Sequence, residues 1–486
     1  MKRLNHKKTP VYTALNDYVK HNIVHFDVPG HKKRKGLGGI FDKELMKYDA
    51  NSTKDLDMLS NPTGAIREAE ELLADAYGAD SAFMLVNGST FGVQAMIMAA
   101  VGPNEKIMIP RNIHKSAING VILSGAVPVF IEPEIDYGYG IANSITIEGV
   151  RKTVKEHPDV KAILLINPTY FGAASDIKSI IAYCRRKNIT VLSDEAHGAH
   201  FPFHNEFPPG AIPMGADMAT ASLHKTGGSL TQSSVLLLNE YRFKRYEIRS
   251  IINLMQTTSA SYLLLSSIDL ARKELVLNGQ DIFTKLLKII NETKAKINSI
   301  KGISCITREN INGKGIFNYD ETKIVIKVNE LGLTGFQVYD ILKEKYNIQM
   351  ELAETYCVLA VCGVGDDEYT LNRLYEALSD ISKNYYGKLA PFTVSLTDFF
   401  EKPKTVISPR DAFYSPKRIV PADEAVGEIC GESLMIYPPG IPLIIPGERI
   451  TEKIIEHYWF YVKQGCVVMN DEGDYGKIQI LGSVDS

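Results

Sequence analysis

No stretch of this 486-residue chain approaches the roughly 18 to 20 uninterrupted apolar residues that a membrane span requires. A broad cationic field is missing too: the formal net charge is −3 at pH 7, which disfavours nucleic acid and anionic membrane surfaces as partners. The six cysteines (Cys184, Cys305, Cys357, Cys362, Cys430 and Cys466) stand singly, without the CxxC pairing of zinc or dithiol chemistry. They read as reduced thiols. The N-terminal segment MKRLNHKKTPVYTALNDYV has no apolar h-region, so the expected location is the cytoplasm. Internal repeats and low-complexity tracts are absent as well.

What is present belongs to an ordinary globular protein: 45% apolar and 23% charged residues, enough chain for two or three domains with a large core. Residues 1–50 alternate short apolar pieces with basic, Gly-containing loops such as VPGHKKRKGLGG, which suits an N-terminal arm. Over 51–270 the apolar runs AFMLVN, KIMIPR, VPVFIEP, KAILLINP, TVLSDEA and SSVLLLN alternate with helical stretches such as AIREAEELLADAYG and DIKSIIAYCRRKN. That βαβ rhythm predicts a mostly parallel sheet covered on both faces. Residues 271–390 combine long amphipathic helices with alternating strands (TKIVIKVN, CVLAVCG), a smaller α+β domain. Residues 391–486 open with a Pro-, Thr- and Ser-rich linker and continue as short strands between prolines.

Three pieces of sequence carry chemistry together. Asp194 closes the apolar strand TVLSD, which places a carboxylate at the carboxyl edge of the sheet, where open α/β folds bind ligands. Standing alone, a strand-end Asp reads as an acidic N-cap for the next helix. Lys225 follows a second apolar strand (DMATASLHK), and by itself it reads as a surface cation. The turn Gly88-Ser89-Thr90 lies between AFMLVN and a helix, so backbone N–H groups and two hydroxyls converge as a phosphate seat. His114, just after KIMIP, can stack on a flat ring or cap a helix. With Ser222 and His224 as phosphate donors, Lys225 as an amine for a carbonyl and Asp194 as an anion for a ring nitrogen, the set describes a site for pyridoxal 5'-phosphate (PLP). A metal reading competes, because Asp194, Glu195, His197, His200 and His204 crowd into DEAHGAHFPFH. That stretch is broken by Gly and Pro and is not an HExxH helix, so its histidines need not face one way, and no metal is expected.

The segments FDVPGHKKRKG, RNIHKS, INPTYFG, DEAHGAH, SLHKTGGSLTQSS, TTSASYLLL, SPRDAF and YPPGIPLIIPGE, in this order, resemble the group III Orn/Lys/Arg amino-acid decarboxylases. Within that family the chain looks most like the short biosynthetic arginine decarboxylases of Gram-positive bacteria, because it lacks the N-terminal wing domain of the long inducible enzymes. The resemblance implies the PLP-dependent transferase fold of aspartate-aminotransferase type (fold type I), with a C-terminal decarboxylase domain. It implies that Lys225 is the Schiff-base lysine, Asp194 the partner of the pyridine nitrogen and His114 the ring-stacking histidine. Gly88, Ser89, Thr90, Ser222 and His224 would form the phosphate cradle, Ala196 and His197 would lie against the ring, and Thr169 would sit near its edge.

The implied activity is decarboxylation of a basic L-amino acid, arginine to agmatine and carbon dioxide, in polyamine and spermidine biosynthesis. Lysine or ornithine decarboxylation is the alternative inside the class. A PLP-fold binding protein without catalysis and a metal hydrolase are the alternatives outside it. The resemblance further implies a homodimer in which Thr257, Thr258 and Ser259 reach the partner's phosphate. A basic substrate needs an acid at the far end of its pocket, and Glu351, Glu354 and Glu448 are the candidates.

Overall fold

The computed structural model describes residues 24–26, 57–394, 403–437, 440–471, 473 and 475–482. Apart from Val24–Phe26, the arm expected over 1–50 lies outside the described residues, as does all of FDVPGHKKRKG beyond Phe26.

Seven short apolar segments form one sheet: β1 (Ser81–Leu85), β2 (Lys106–Pro110), β3 (Val127–Ile131), β4 (Ala162–Ile166), β5 (Thr190–Asp194), β6 (Met218–Ala221) and β7 (Ser234–Leu238). Their order is β1-β7-β6-β5-β4-β2-β3, and only β7 runs against its neighbours. β1, β5, β6 and β7 are buried along their whole length, as expected of strands covered by helices on both faces rather than of an alternating half-exposed sheet. Because β1, β2, β4, β5 and β6 point the same way, their carboxyl ends share one edge, and the loops leaving that edge are the ones that build a site.

Two helices fix this edge. Helix α1 (Gly88–Ala100) starts directly after β1, and α2 (Lys115–Ser124) directly after β2. α1 lies so close to β6 that a Cβ at Gly92 would come 2.2 Å from Thr220 Oγ1 and 2.8 Å from Thr220 Cβ. Glycine at this position is therefore a packing requirement.

A continuous 37-residue helix, Tyr262–Asn298, carries the chain past residue 270, the expected boundary, into the smaller unit. There a four-stranded antiparallel sheet is built from Ser304–Cys305, Lys323–Lys327, Leu352–Ala353 and Cys357–Val361. It is backed by helices Gly335–Tyr346 and Glu368–Tyr385. The last described segment holds a three-stranded sheet (Leu434–Tyr437, Ile441–Ile444, Val467–Met469), a strand pair (Lys417–Pro421 with Lys477–Leu481) and helix Glu452–Lys463. Its own core includes Leu434, Ile444, Ile454, Tyr458 and Ile478. No helix among the described residues is long and apolar enough to cross a membrane.

Candidate functional site

A cavity of about 420 Å³ opens at the carboxyl edge of the large sheet. Gly88, Ser89, Thr90, His114, Thr169, Asp194, Ala196, His197, Ser222, His224 and Lys225 all border it. The sheet brings them together because each lies within a few residues of the end of β1, β2, β4, β5 or β6.

At one side the cavity offers hydroxyl and N–H donors. Gly88 adopts φ +71°, a conformation that favours glycine, and its N–H donates to Gln232 O at 2.7 Å. The first turn of α1 has no side-chain cap, so its remaining N–H groups keep their capacity for an anion. The Ser222 hydroxyl donates to Ser89 Oγ at 2.8 Å, and Ser234 Oγ, at the start of antiparallel β7, is 3.4 Å from Ser222 Oγ. His224 is held by Nδ1, which donates to Ser233 O at 3.0 Å. These donors suit a phosphate.

On the floor, Lys225 leaves the four-residue helical turn Leu223–Thr226, with Nζ 2.8 Å from His197 Nε2 and 5.2 Å from the centre of the Tyr170 ring. The His197 and Tyr170 rings lie 4.2 Å apart, and His197 Nδ1 is buried without a hydrogen-bond partner among the described residues. Burial pushes the Lys225 ammonium below its ordinary pKa, with Glu351 and Asp194 opposing the shift. Burial also holds His197 neutral, aided by the charge of Lys225. Asp194 accepts from Ala196 N at 3.0 Å through Oδ1, while Oδ2 has no hydrogen-bond partner among the described residues. Burial raises the Asp194 carboxyl above its usual range, and the Ala196 N–H and Lys225 only partly offset this. A buried carboxylate with a vacant oxygen suits a cationic partner.

His114 is the N-cap of α2: Nδ1 accepts from Ser116 N at 3.2 Å and lies 2.9 Å from Ser116 Oγ. The cap reading thus holds, and the capped residue also borders the cavity. Burial, reinforced by Lys225 and Lys115, lowers it to about 3, so the ring is neutral. Thr169 Oγ1 accepts from Ala173 N at 3.2 Å, fixing the loop after β4.

The acids and histidines of DEAHGAHFPFH do not converge. Glu195 turns away to accept from Asn167 Nδ2 and Ala211 N, each at 2.8 Å. His200 bridges Thr226 Oγ1 (3.0 Å) and Asp320 Oδ1 (3.2 Å), and His204 contacts Thr284 Oγ1. Among the described residues, no group of three or more His, Cys, Asp or Glu is placed to hold a metal ion.

The three acids considered for the far end of the pocket separate clearly. Glu351 and Glu354 border the cavity. Glu448 is instead fully buried in a two-pronged pair with Arg111 (Nη1–Oε1 2.7 Å, Nη2–Oε2 3.0 Å) and accepts from Ile445 N. Its charge is spent on Arg111, so it is not available to a ligand. Sequence reasoning missed Arg111 and Tyr170, although both sit in quoted segments, and it missed Ile454, His457 and Tyr461 of the C-terminal helix, which close the cavity. The helical spacing of the last three was their one available signal.

The exposed residues Thr257, Thr258 and Ser259 do not border this cavity.

Comparison with known proteins identifies the family and the fold. Residues 9–370 match the family model for the Orn/Lys/Arg decarboxylase major domain, and residues 394–466 match that for its C-terminal domain. The arginine decarboxylase of Bacillus subtilis (strain 168) is 42% identical over 473 residues, 96% of this chain and 96% of that protein. The constitutive lysine decarboxylase of E. coli superposes with a TM-score of 0.76 at 19% identity, covering 98% of this chain and 82% of that one. A structure described as "SPT with PLP" superposes with a TM-score of 0.56 at 14% identity over 75% of this chain and 88% of its own. These likenesses fix the fold as the PLP-dependent fold type I. With both domain models matched in sequence order and a relative this similar along nearly its whole length, the chain belongs to the Orn/Lys/Arg decarboxylase family.

Proposed function

We propose that the protein uses PLP to decarboxylate a basic L-amino acid, arginine to agmatine and carbon dioxide. The observation that carries this is the convergence of the Lys225 amine, the half-satisfied Asp194 carboxylate and the Ser89–Ser222–Ser234 hydroxyl cluster on one cavity. The similarity to arginine decarboxylases supports the choice of substrate.

The residues present fit the cofactor. Lys225 would hold its aldehyde, and Asp194 its ring nitrogen. Gly88, Ser89, Thr90, Ser222 and His224 would hold its phosphate. His114, Ala196 and His197 would contact the ring, with Thr169 at its edge. When bound, PLP supplies the electron sink for the pair released as the Cα–carboxylate bond breaks. Asp194 would pair with a protonated ring nitrogen, and a cation there would oppose the upward shift that burial imposes on the carboxyl. Losing that contact costs about 3 to 4 kcal/mol, roughly 10²- to 10³-fold in rate. Lys225 Nζ and His197 Nε2, 2.8 Å apart, form the proton-carrying pair that can return a proton to Cα. The cavity wall orients the carboxylate and excludes water, so selectivity for carbon dioxide release comes from positioning.

Purified protein should absorb in the visible, lose that absorbance with borohydride, and release agmatine from arginine. A Lys225→Ala variant that stayed equally yellow and active would remove Lys225 from this role. Cadaverine from lysine or putrescine from ornithine as the main product would change the substrate. We further propose a cytoplasmic homodimer acting in polyamine (spermidine) biosynthesis. The exposure of Thr257, Thr258 and Ser259 supports their reaching the partner's phosphate, and a fully active monomer in sedimentation would count against it.

A further inference from the structure

Two acids border the cavity from the segment between Glu351 and Thr355, and they influence different groups. Glu351 acts on Lys225, where its charge is the largest single influence opposing loss of the proton on burial. Glu354 acts elsewhere: its charge raises the Tyr461 phenol and the Cys357 and Cys466 thiols further than burial alone does. Tyr461 lies on helix Glu452–Lys463 and borders the cavity as well. Glu351 thus acts on the reacting amine, and Glu354 on a side chain of the C-terminal helix that borders the same cavity.

Glu354 is also a carboxylate without a counter-charge. Among the described residues no lysine or arginine pairs with it. Burial pushes its carboxyl up to about 7, and the Thr355 N–H is the one group opposing this. Arg111, the fixed guanidinium bordering the same cavity, is committed to Glu448 through both of its terminal nitrogens. The turn that carries Glu354 is rigid. Its N–H donates to Cys357 O at 2.8 Å, and Gly335 N donates to Thr355 O at 3.1 Å. The start of helix Gly335–Tyr346 is packed so tightly there that a Cβ at Gly335 would come 2.1 Å from Glu354 O. A desolvated, uncompensated acid on a fixed turn costs free energy until a cation docks against it.

We infer that Glu354 is the seat of the substrate's distal guanidinium, whose parallel N–H donors match both carboxylate oxygens. This rests on the reading of the protein as a decarboxylase of basic amino acids. Glu351 then belongs to the reacting end, and Glu448 to structure.

The test uses the holoenzyme, with Glu354→Gln and Glu354→Asp. Agmatine affinity is measured by calorimetry, arginine turnover by product release, and norleucine binding by its effect on the cofactor's visible absorbance. Glu354→Gln should cut both agmatine affinity and arginine kcat/KM by about 10²- to 10³-fold, the range expected when one partner of a desolvated charge pair is neutralised. Norleucine, which has no distal cation, should keep its wild-type midpoint. Glu354→Asp, which retains the charge, should lose less than Glu354→Gln. Agmatine binding to Glu354→Gln at wild-type strength would overturn the assignment, and so would an equal loss of norleucine binding, which would mark a structural role. If the wild-type protein turned over none of arginine, lysine and ornithine, the functional reading itself would fail, an outcome separate from any behaviour of the variants.

Discussion

Replacing Gly92 by alanine tests whether the register of α1 on the sheet governs the cavity. The added Cβ would sit 2.2 Å from Thr220 Oγ1 and 2.8 Å from Thr220 Cβ, against an ordinary contact of 3.4 Å or more. Thr220 can rotate its hydroxyl away, at the cost of the 2.9 Å hydrogen bond to Val235 O. Its Cβ cannot move without the backbone, so α1 and β6 must separate by about 0.6 Å at least. Overpacking of this kind costs about 1 to 3 kcal/mol, of which the better helix propensity of alanine returns up to about 1 kcal/mol. The shift falls between Ser89 on α1 and Ser222 just beyond β6, whose hydroxyls are 2.8 Å apart. Retained PLP should therefore drop at least tenfold in affinity, measured by titrating the apoprotein and following visible absorbance, alongside a lower midpoint in urea. Gly102→Ala is the control, since the nearest neighbour of its added Cβ would be Glu105 Oε2 at 3.8 Å. A Gly92→Ala protein that matched the control in both stability and cofactor affinity would refute the argument.

Glu448→Ala should destabilise the fold by about 3 to 5 kcal/mol in denaturant titration, because it leaves Arg111 largely buried and unpaired. The double replacement of Arg111 and Glu448 by methionine should cost less than that single change. Glu195 is held at about 7 by burial, above its ordinary 4.5, so its native-state proton contributes stability that is complete below pH 4.5 and is lost as pH rises through 7. Glu195→Gln should flatten that decline, which is at most about 1.4 kcal/mol per pH unit, and an unchanged slope in urea melts at pH 5, 6 and 7 would contradict it. Dialysis against a chelator should leave carbon dioxide release intact, and loss of activity restored by a divalent metal would revive the metal reading of DEAHGAHFPFH.

Much of the cavity was readable in the sequence because its parts are local to strand ends. An apolar run such as TVLSD or DMATAS announces a buried strand, and the polar residue that follows is then placed at the edge by the direction of the chain alone. That placed Asp194, Lys225 and Gly88 at the edge, while their chemistry was legible only from the set taken together. Glu448 could not be read this way, since its partner Arg111 lies 337 positions away and pairing across that distance leaves no local pattern. The directions of the histidines at 200 and 204 were illegible for a related reason. Their spacing in an irregular loop says nothing of direction, and packing turned one toward Asp320 and the other toward Thr284. The boundary expected at residue 270 followed a change in strand and helix style, whereas the chain there continues as one helix from Tyr262 to Asn298.

The seal that Ile454, His457 and Tyr461 place over the cavity has a consequence for biogenesis. A ribosome delivers the whole seven-stranded sheet some 200 residues before it delivers this helix. During that interval the donor-rich side and the Lys225 floor lack the wall that this helix supplies. The cavity is therefore completed only when the last described segment has folded against the large sheet.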